Sequence, residues 1–316
     1  MLKACFAMTE AQALAELGRI GVIRLAAATP EGPLLRTFDG VLHEGAICFH
    51  GGDHGDKLEL LGRAVMVAAE EVVAHLPSWF FDERRACPAT TYYRSVHAWG
   101  TLERVDDRRE KAAVLQALME RLQPEGRHRR LTGDDPLYAG VLDGLMVAHI
   151  RPTRIVGKAK LGQHKGGATI ARALDGLWQR GAPGDLAALR AIRDAHPERP
   201  TPAWMLGPGG VTFEVAPDAR EVEAVAALLA AASREPARIR AAHLASAAWV
   251  VAKDAEGTVV ASARAVSDDT ELAIVLDVAV RSELRGSELE RALMALLLQH
   301  PRLREARRVW SEHGRC

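Results

Sequence analysis

Residues 21–50, GVIRLAAATPEGPLLRTFDGVLHEGAICFH, constrain the fold more than any other stretch of the chain. Runs rich in Val, Ile, Leu and Phe are separated only by the turn-like segments TPEG and HEG. Connections this short join antiparallel neighbours, because a parallel crossover needs roughly a dozen residues or more. The stretch therefore predicts three consecutive strands of a meander. Further strands are expected at AVMVAAEEVVAHL (64–76), at YYRSVHAWGTLERV (92–105), and as a strand or pair over GLMVAHIRPTRIVGKAKL (144–161). A helix capped by Thr9, with Ala13, Leu14 and Leu17 at helical spacing, precedes the meander. Residues 57–62 are expected to be helical. DRREKAAVLQALMERLQP (107–124) reads as an amphipathic helix with Ala112, Leu115, Leu118, Met119 and Leu122 on one face and Pro124 as its stop. Antiparallel strands with helices inserted late point to a small β-barrel.

Near residue 166 the rhythm changes. GATIARALDGLWQRG and GDLAALRAIRDAH read as helices, and PERPTPAWMLGPGG (197–210) as a linker. The chain then runs strand (VTFEVA), helix capped by Asp218, helix (PARIRAAHLASA), three strands, helix (SELERALMALLLQH) and strand (RRVWSEH). The expected fold class is α+β: a barrel domain over 1–165, a helical extension and linker over 166–208, and an α/β domain over 209–316.

Charge and cysteine usage narrow the function. Lys and Arg number 41 against 41 Asp and Glu, so no global field draws in nucleic acid or an acidic membrane. No helix-turn-helix is evident, so nucleic acid is not expected as a partner. The four cysteines form no CxxC, which disfavours a disulfide framework or structural zinc and suits a reducing cytoplasm. The first residues lack the apolar core of a signal peptide, and no apolar run approaches the ~20 residues of a bilayer span.

AICFHGGDHGDKLELL (46–61) is the stretch that carries chemistry. A strand ends in His50, two glycines follow, and Lys57 stands where the next element begins. Glycines let backbone N–H groups approach an anion, and Lys57, with Arg36 from the preceding strand, supplies charge. This can form a phosphate cradle. It can equally be a solvated turn, or His50 can ligate iron. The pair His50 and His54 falls in a loop, without a carboxylate at metalloprotease spacing, and does not read as a zinc site. Cys48 reads as core. Tyr92 and Tyr93 face opposite ways, and Tyr93 is the one expected to reach a pocket.

GAICFHGGDHGDKLELL resembles the flavin-loop segment of pyridoxamine 5'-phosphate oxidase-like split barrels. TTYYRSVHAWGTLERVDD resembles the Tyr-Arg-Ser-Val strand of their nitroimidazole-resistance branch. PSWFFDE with TTYYRSVHAWG, and KAKLGQHKGG, resemble the FMN-binding Pai-type regulators. The resemblance implies that Arg36, Thr37 and Phe38 lie along a flavin, that His50 and Gly51 sit beside it, and that Lys57 holds its phosphate. It also implies that Arg94 and Ser95 close the pocket across a homodimer interface. FMN-dependent redox chemistry on a small molecule is the activity implied. Two alternatives stay open: haem with His50 as axial ligand (His97 being a second candidate), and a non-enzymatic FMN-binding regulator. The second phosphate-binding arginine and the C-terminal substrate segment of the true oxidases are not found, which speaks against pyridoxamine phosphate oxidation.

VLDVAVRSELRGSELERALMALLL resembles the acetyl-CoA motif of the GNAT superfamily of N-acetyltransferases. Arg285 and Gly286 match the opening of its loop, followed by Ser287 and Glu288. Glu288 and Glu290 stand where small residues are expected and would bring negative charge towards a pyrophosphate; they can instead turn away and favour the helix N-terminus. The chain also ends soon after the last strand. The expectation is a degenerate, truncated module without acetyl transfer; Asp277 and Glu271 can be proposed as general bases but read as solvated strand-end carboxylates.

Overall fold

In a computed structural model that describes residues 3–230, 235–311 and 314–315, the meander forms as β1 (Val22–Thr29), β2 (Gly32–His43) and β3 (Ala46–Gly52). Its two turns are the two punctuation segments of the sequence, and both strand pairs are antiparallel. Four more strands follow: β4 (Ala64–Leu76), β5 (Thr90–Val105), β6 (Leu145–Ile150) and β7 (Arg154–Lys160). They form one seven-stranded sheet in the order β4-β1-β2-β3-β6-β5-β7, and a further pairing of β4 with β5 closes it on itself. β5 is long enough to serve β4, β6 and β7. Its Tyr93–Trp99 stretch pairs with β7 and its Leu102–Val105 stretch with β6, which splits the barrel.

Contacts divide the chain into two units, one of residues 1–72 and 92–163, the other of 73–91 and 164–316. In the first unit, alternate residues of the strands fill the barrel: Ile23 and Leu25 of β1, Ile47 and Phe49 of β3, Val65 and Val67 of β4, Val96 and Ala98 of β5. Helix α1 (Glu10–Ile20) adds Ala13 and Leu17 to the same core. Its start is a capping box: Gln12 N–H donates to the Thr9 hydroxyl and Thr9 N–H to the Gln12 side chain. A second cluster lies on the other face of β2, β3 and β6, where α2 (Arg108–Leu122) packs Ala112, Leu115 and Leu118 against Val41, Cys48 and Val147. A short helix, α3 (Ala139–Gly144), contributes Leu142 there.

In the second unit, α4 (Gly167–Arg180) and α5 (Asp185–Asp194) form as expected. The tip of the β4–β5 hairpin belongs with them: Phe80 sits so close to Gly176 of α4 that a Cβ there would fall 2.5 Å from its ring. The remainder is a six-stranded sheet in the order β13-β12-β11-β10-β9-β8. Its strands are β8 (Thr212–Glu214), β9 (Ala248–Lys253), β10 (Val259–Ser267), β11 (Leu272–Val280), β12 (Arg308–Ser311) and β13 (Gly314–Arg315). Only β11 and β12 are parallel. Helices α6 (Ala219–Ala230) and α7 (Pro236–Leu244) pack Val222, Val225 and Ile239 onto Trp249 and Val251 of β9. Helix α8 (Glu288–Leu298) follows β11. Apart from β13, the element order over 209–316 is the one expected from the sequence. Among the described residues no helix is long and apolar enough to cross a membrane.

One expectation of the first unit is met only in part. The helix expected over residues 57–62 is a short 3₁₀ helix, Asp56–Leu60, and not an α-helix. Gly55 at φ 93° and Gly62 at φ 75° bracket it in left-handed backbone, so no room remains for a second turn. The dipole of a helix N-terminus is therefore not available to an anion at this loop.

Candidate functional site

The loop between β3 and β4 is built around its glycines. A Cβ on Gly51 would fall 3.0 Å from Lys57 Cε, and one on Gly55 would lie 3.7 Å from Lys57 Nζ. The Lys57 side chain is thus laid back over the backbone of the strand end, where its ammonium donates to the His54 carbonyl. Among the described residues no carboxylate lies within ion-pair distance of Lys57. Arg104 of β5 anchors the loop from one side, donating twice to Asp53 at 2.8 Å. That hydrogen bond holds the Asp53 carboxyl below its usual range.

Pleating decides which of the expected residues can meet. On β2, Leu34, Arg36 and Phe38 share a face; Leu34 and Phe38 pack on the barrel core, and Phe38 stacks on Phe49 with ring centroids 4.3 Å apart. Arg36 therefore emerges at the barrel mouth on the side of the 3₁₀ turn, and it forms an ion pair with Asp56. Gly51 faces the same way, since its missing Cβ points at Lys57. Arg36, Phe38, Gly51 and Lys57 thus gather at one mouth, together with Asp56, which sequence reasoning missed. A carboxylate beside an arginine twenty residues earlier leaves no local signal.

Thr37 and His50 leave their strands on the opposite face. Thr37 is exposed. His50, directly across from Val147 of β6, lies on the side of β3 that carries Cys48 and faces α2. Its Nδ1 is shielded from water and has no hydrogen-bond partner among the described residues. Burial pushes its pKa down, against the opposing pull of Asp39. Asp39 itself lies 3.5 Å from the Arg121 guanidinium of α2.

The β5 residues divide in the same manner. Arg94 shares the inward face with Tyr92 and Val96 and is held by Glu16 of α1 at 3.4 Å and Glu71 of β4 at 3.3 Å. Tyr92 is almost fully buried, and burial pushes its phenol up to about 12. Tyr93 and Ser95 face outward, opposite Lys160 and Lys158 of β7. Lys158 Nζ donates to the Tyr93 hydroxyl at 2.6 Å. His97 lies on the same outward face, its ring edge-on to Trp99 with centroids 6.1 Å apart. Cys48 is core, and burial pushes its thiol up to about 12. The nine expected residues therefore occupy four places in the chain: the mouth, the outer face of β2 and β3, and each of the two faces of β5. Among the described residues no group of three or more His, Cys, Asp or Glu could hold a metal ion.

In the second unit, Gly286 adopts φ 71° and Ser287 caps α8, accepting from Leu289 N–H at 3.3 Å. Glu288 and Glu290 lie in the first turn of α8, and Glu288 pairs with Arg291 at 3.6 Å. Arg285 and Glu290 border a cavity of about 330 Å³ with Val278 and Val280 of β11. Glu271 is exposed, as expected. Asp277 is not: it is 4% exposed, sits at φ 52° on β11, and accepts from Arg264 Nε at 2.5 Å. A register shift between β10 and β11 turns it inward.

Residues 9–159 match the family model described as pyridoxamine 5'-phosphate oxidase. The match spans β1 to β6 and nearly all of β7. No curated protein sequence matches the chain. Solved structures similar to it include the flavocytochrome Anf3 from Azotobacter vinelandii, 16% identical over 49% of this chain and 69% of that one, with a TM-score of 0.41. The FAD and haem binding protein from Mycobacterium smegmatis is 16% identical over 48% and 71%, with a TM-score of 0.41. A FAD-binding protein from Mesorhizobium loti is 14% identical over 48% and 94%, with a TM-score of 0.33.

Proposed function

On a split barrel of pyridoxamine 5'-phosphate oxidase-like type, we propose that the mouth formed by β2, β3 and the 3₁₀ turn binds the phosphate end of FMN. The observation that carries this reading is Lys57: a cation folded over glycine backbone, engaged only by a neutral carbonyl among its described hydrogen bonds. A phosphate offers it a charge-assisted bond in place of that carbonyl. Gly51 and Gly55 leave the room that the Lys57 side chain occupies, and Arg36 reaches the same anion by sharing its donors between Asp56 and the phosphate. Phe38, stacked on Phe49, gives the mouth a flat apolar floor. When bound, the flavin supplies the redox chemistry on a small-molecule substrate, and the chain supplies position and exclusion of water.

The protein acts as a homodimer in this reading. Val22, Leu35 and Val72 are 44%, 56% and 56% exposed on the outward faces of β1, β2 and β4, where a second copy would cover them together with the Arg24–Glu70 ion pair. A partner barrel brings a second set of Tyr93 and Ser95 to the interface, which the separation of these residues from Lys57 within one protomer calls for. Residues 209–316 form an accessory, acetyltransferase-like module in this reading; the carboxylates of Glu288 and Glu290 beside the Gly286 turn oppose a pyrophosphate.

The test is FMN titration of the purified protein, read by flavin fluorescence. Uptake is expected, with Lys57→Ala weakening it roughly tenfold or more. Absence of uptake, or an affinity indifferent to Lys57→Ala, overturns the reading. An intense Soret band abolished by His50→Ala replaces flavin with haem, held on the other face of β3.

A further inference from the structure

The first residues of the proline-rich segment, Pro197 to Pro202, line a cleft of about 810 Å³ whose lining residues all belong to the second unit. That volume suits an organic molecule of nucleotide size, within the roughly 300–1,000 Å³ of small-molecule sites. The lining has two sectors. One is apolar: Ile170 and Leu174 of α4, with Pro197, Pro200 and Pro202. The other is cationic: Arg190, Arg193, Arg199, Arg220 and Lys253.

The carboxylates among these cations are already engaged. Glu221 accepts from both terminal nitrogens of Arg190 at 2.8 and 2.7 Å, from Lys253 at 2.9 Å and from Asp218 N–H at 2.9 Å. Glu214 accepts from Arg193 at 3.2 Å and from Ala216 N–H at 3.0 Å. Asp194 and Asp218 are held by Arg220, and Glu198 by Arg199. An arginine offers five N–H donors and a lysine three, whereas a carboxylate offers about four acceptor sites. The charges named here balance, and Arg190 also donates to the Ala216 carbonyl at 2.8 Å. Yet Arg190 is 8% exposed, and among the described residues its Nε–H is buried without an acceptor. A buried N–H without an acceptor is costly to keep and calls for a missing partner.

We propose that this cleft binds an organic anion, with an acceptor-rich phosphate or carboxylate head on the cationic wall and a planar or apolar body against Ile170, Leu174 and the prolines. The site is independent of the flavin reading and of the Arg285 loop.

The experiment is calorimetric titration of the full-length protein with three probes: adenosine 5'-diphosphate, octanoate and inorganic phosphate. Either the nucleotide or the acyl carboxylate binds at least tenfold more tightly than inorganic phosphate, which has no body to place on the apolar wall. Whichever binds identifies the head group as phosphate or carboxylate. Arg193→Ala weakens that probe about tenfold, and Thr201→Trp, which fills the cleft beside Pro200, abolishes its binding. Should Thr201→Trp fail to fold, Arg199→Glu on the more exposed rim serves in its place. Arg285→Glu leaves the affinity unchanged. The proposal is overturned if neither organic probe binds at millimolar concentration, if binding ignores the cleft variants, or if Arg285→Glu abolishes it instead.

Discussion

Replacing Glu221 with glutamine is expected to destabilise the second unit by about 3 kcal/mol at pH 7. The carboxylate is 3% exposed and holds Arg190 and Lys253 together. Burial alone pushes its pKa up; the hydrogen bonds from Arg190, Asp218 N–H and Lys253 overcome this and hold it down to about 2, against an ordinary 4.5. A carboxyl whose folded pKa is depressed stabilises the protein above its unfolded pKa, and that stability drains away as pH falls from 4.5 towards 2. The drop is worth about 3 kcal/mol, consistent with the roughly 3–5 kcal/mol for breaking one side of a buried pair. Urea denaturation read by tryptophan emission suits the test. Trp79, Trp178, Trp204, Trp249 and Trp310 lie in the second unit and only Trp99 in the first. Glu221→Gln should lower the midpoint without altering the slope, and its deficit against the native protein should narrow between pH 4.5 and pH 2. The double variant Arg190→Leu with Glu221→Leu should be more stable than the two single losses added together, because no buried charge is left alone. A deficit below about 1 kcal/mol, or one that does not narrow with acid, refutes the reasoning.

Gly157→Ala should destabilise the barrel by about 1–3 kcal/mol, since its Cβ would stand 2.7 Å from Met8 Sδ and 2.8 Å from Ala13 Cβ; thermal melting that is unchanged from the native protein would contradict this packing. Cys48 should resist thiol reagents at pH 8, where its buried thiol, pushed up to about 12, stays protonated, while exposed Cys5 and Cys87 react. Peptide mapping of the labelled protein separates these outcomes. Thr9→Ala should cost about 1 kcal/mol by removing the cap of α1, measurable by denaturation, with Thr9→Ser restoring most of it.

Much of the architecture is written locally in the sequence. The turns TPEG and HEG specified the β1–β2–β3 meander, Thr9 with Gln12 specified the start of α1, and alternation of helical and strand periods specified the element order of the second unit. These signals act over a few residues, where turn chemistry, capping and side-chain periodicity decide the backbone. At Asp56–Leu60 the helical pattern yields only a short 3₁₀ helix, because left-handed glycines stand on both sides of it.

The presence of a histidine, glycines and a lysine after β3 was legible from sequence alone; their mutual geometry was not. Whether His50 or Gly51 faces the barrel mouth depends on the pairing of β3 with β6, about a hundred residues later, and a slip of one residue would exchange them. The ion pair of Arg36 with Asp56, the buried Asp277 and the lining of a charged cleft by Pro197 to Pro202 have the same origin. Composition determines which charges a chain carries. Only strand register and packing, which close loops of tens of residues, determine which of those charges meet and which are removed from water.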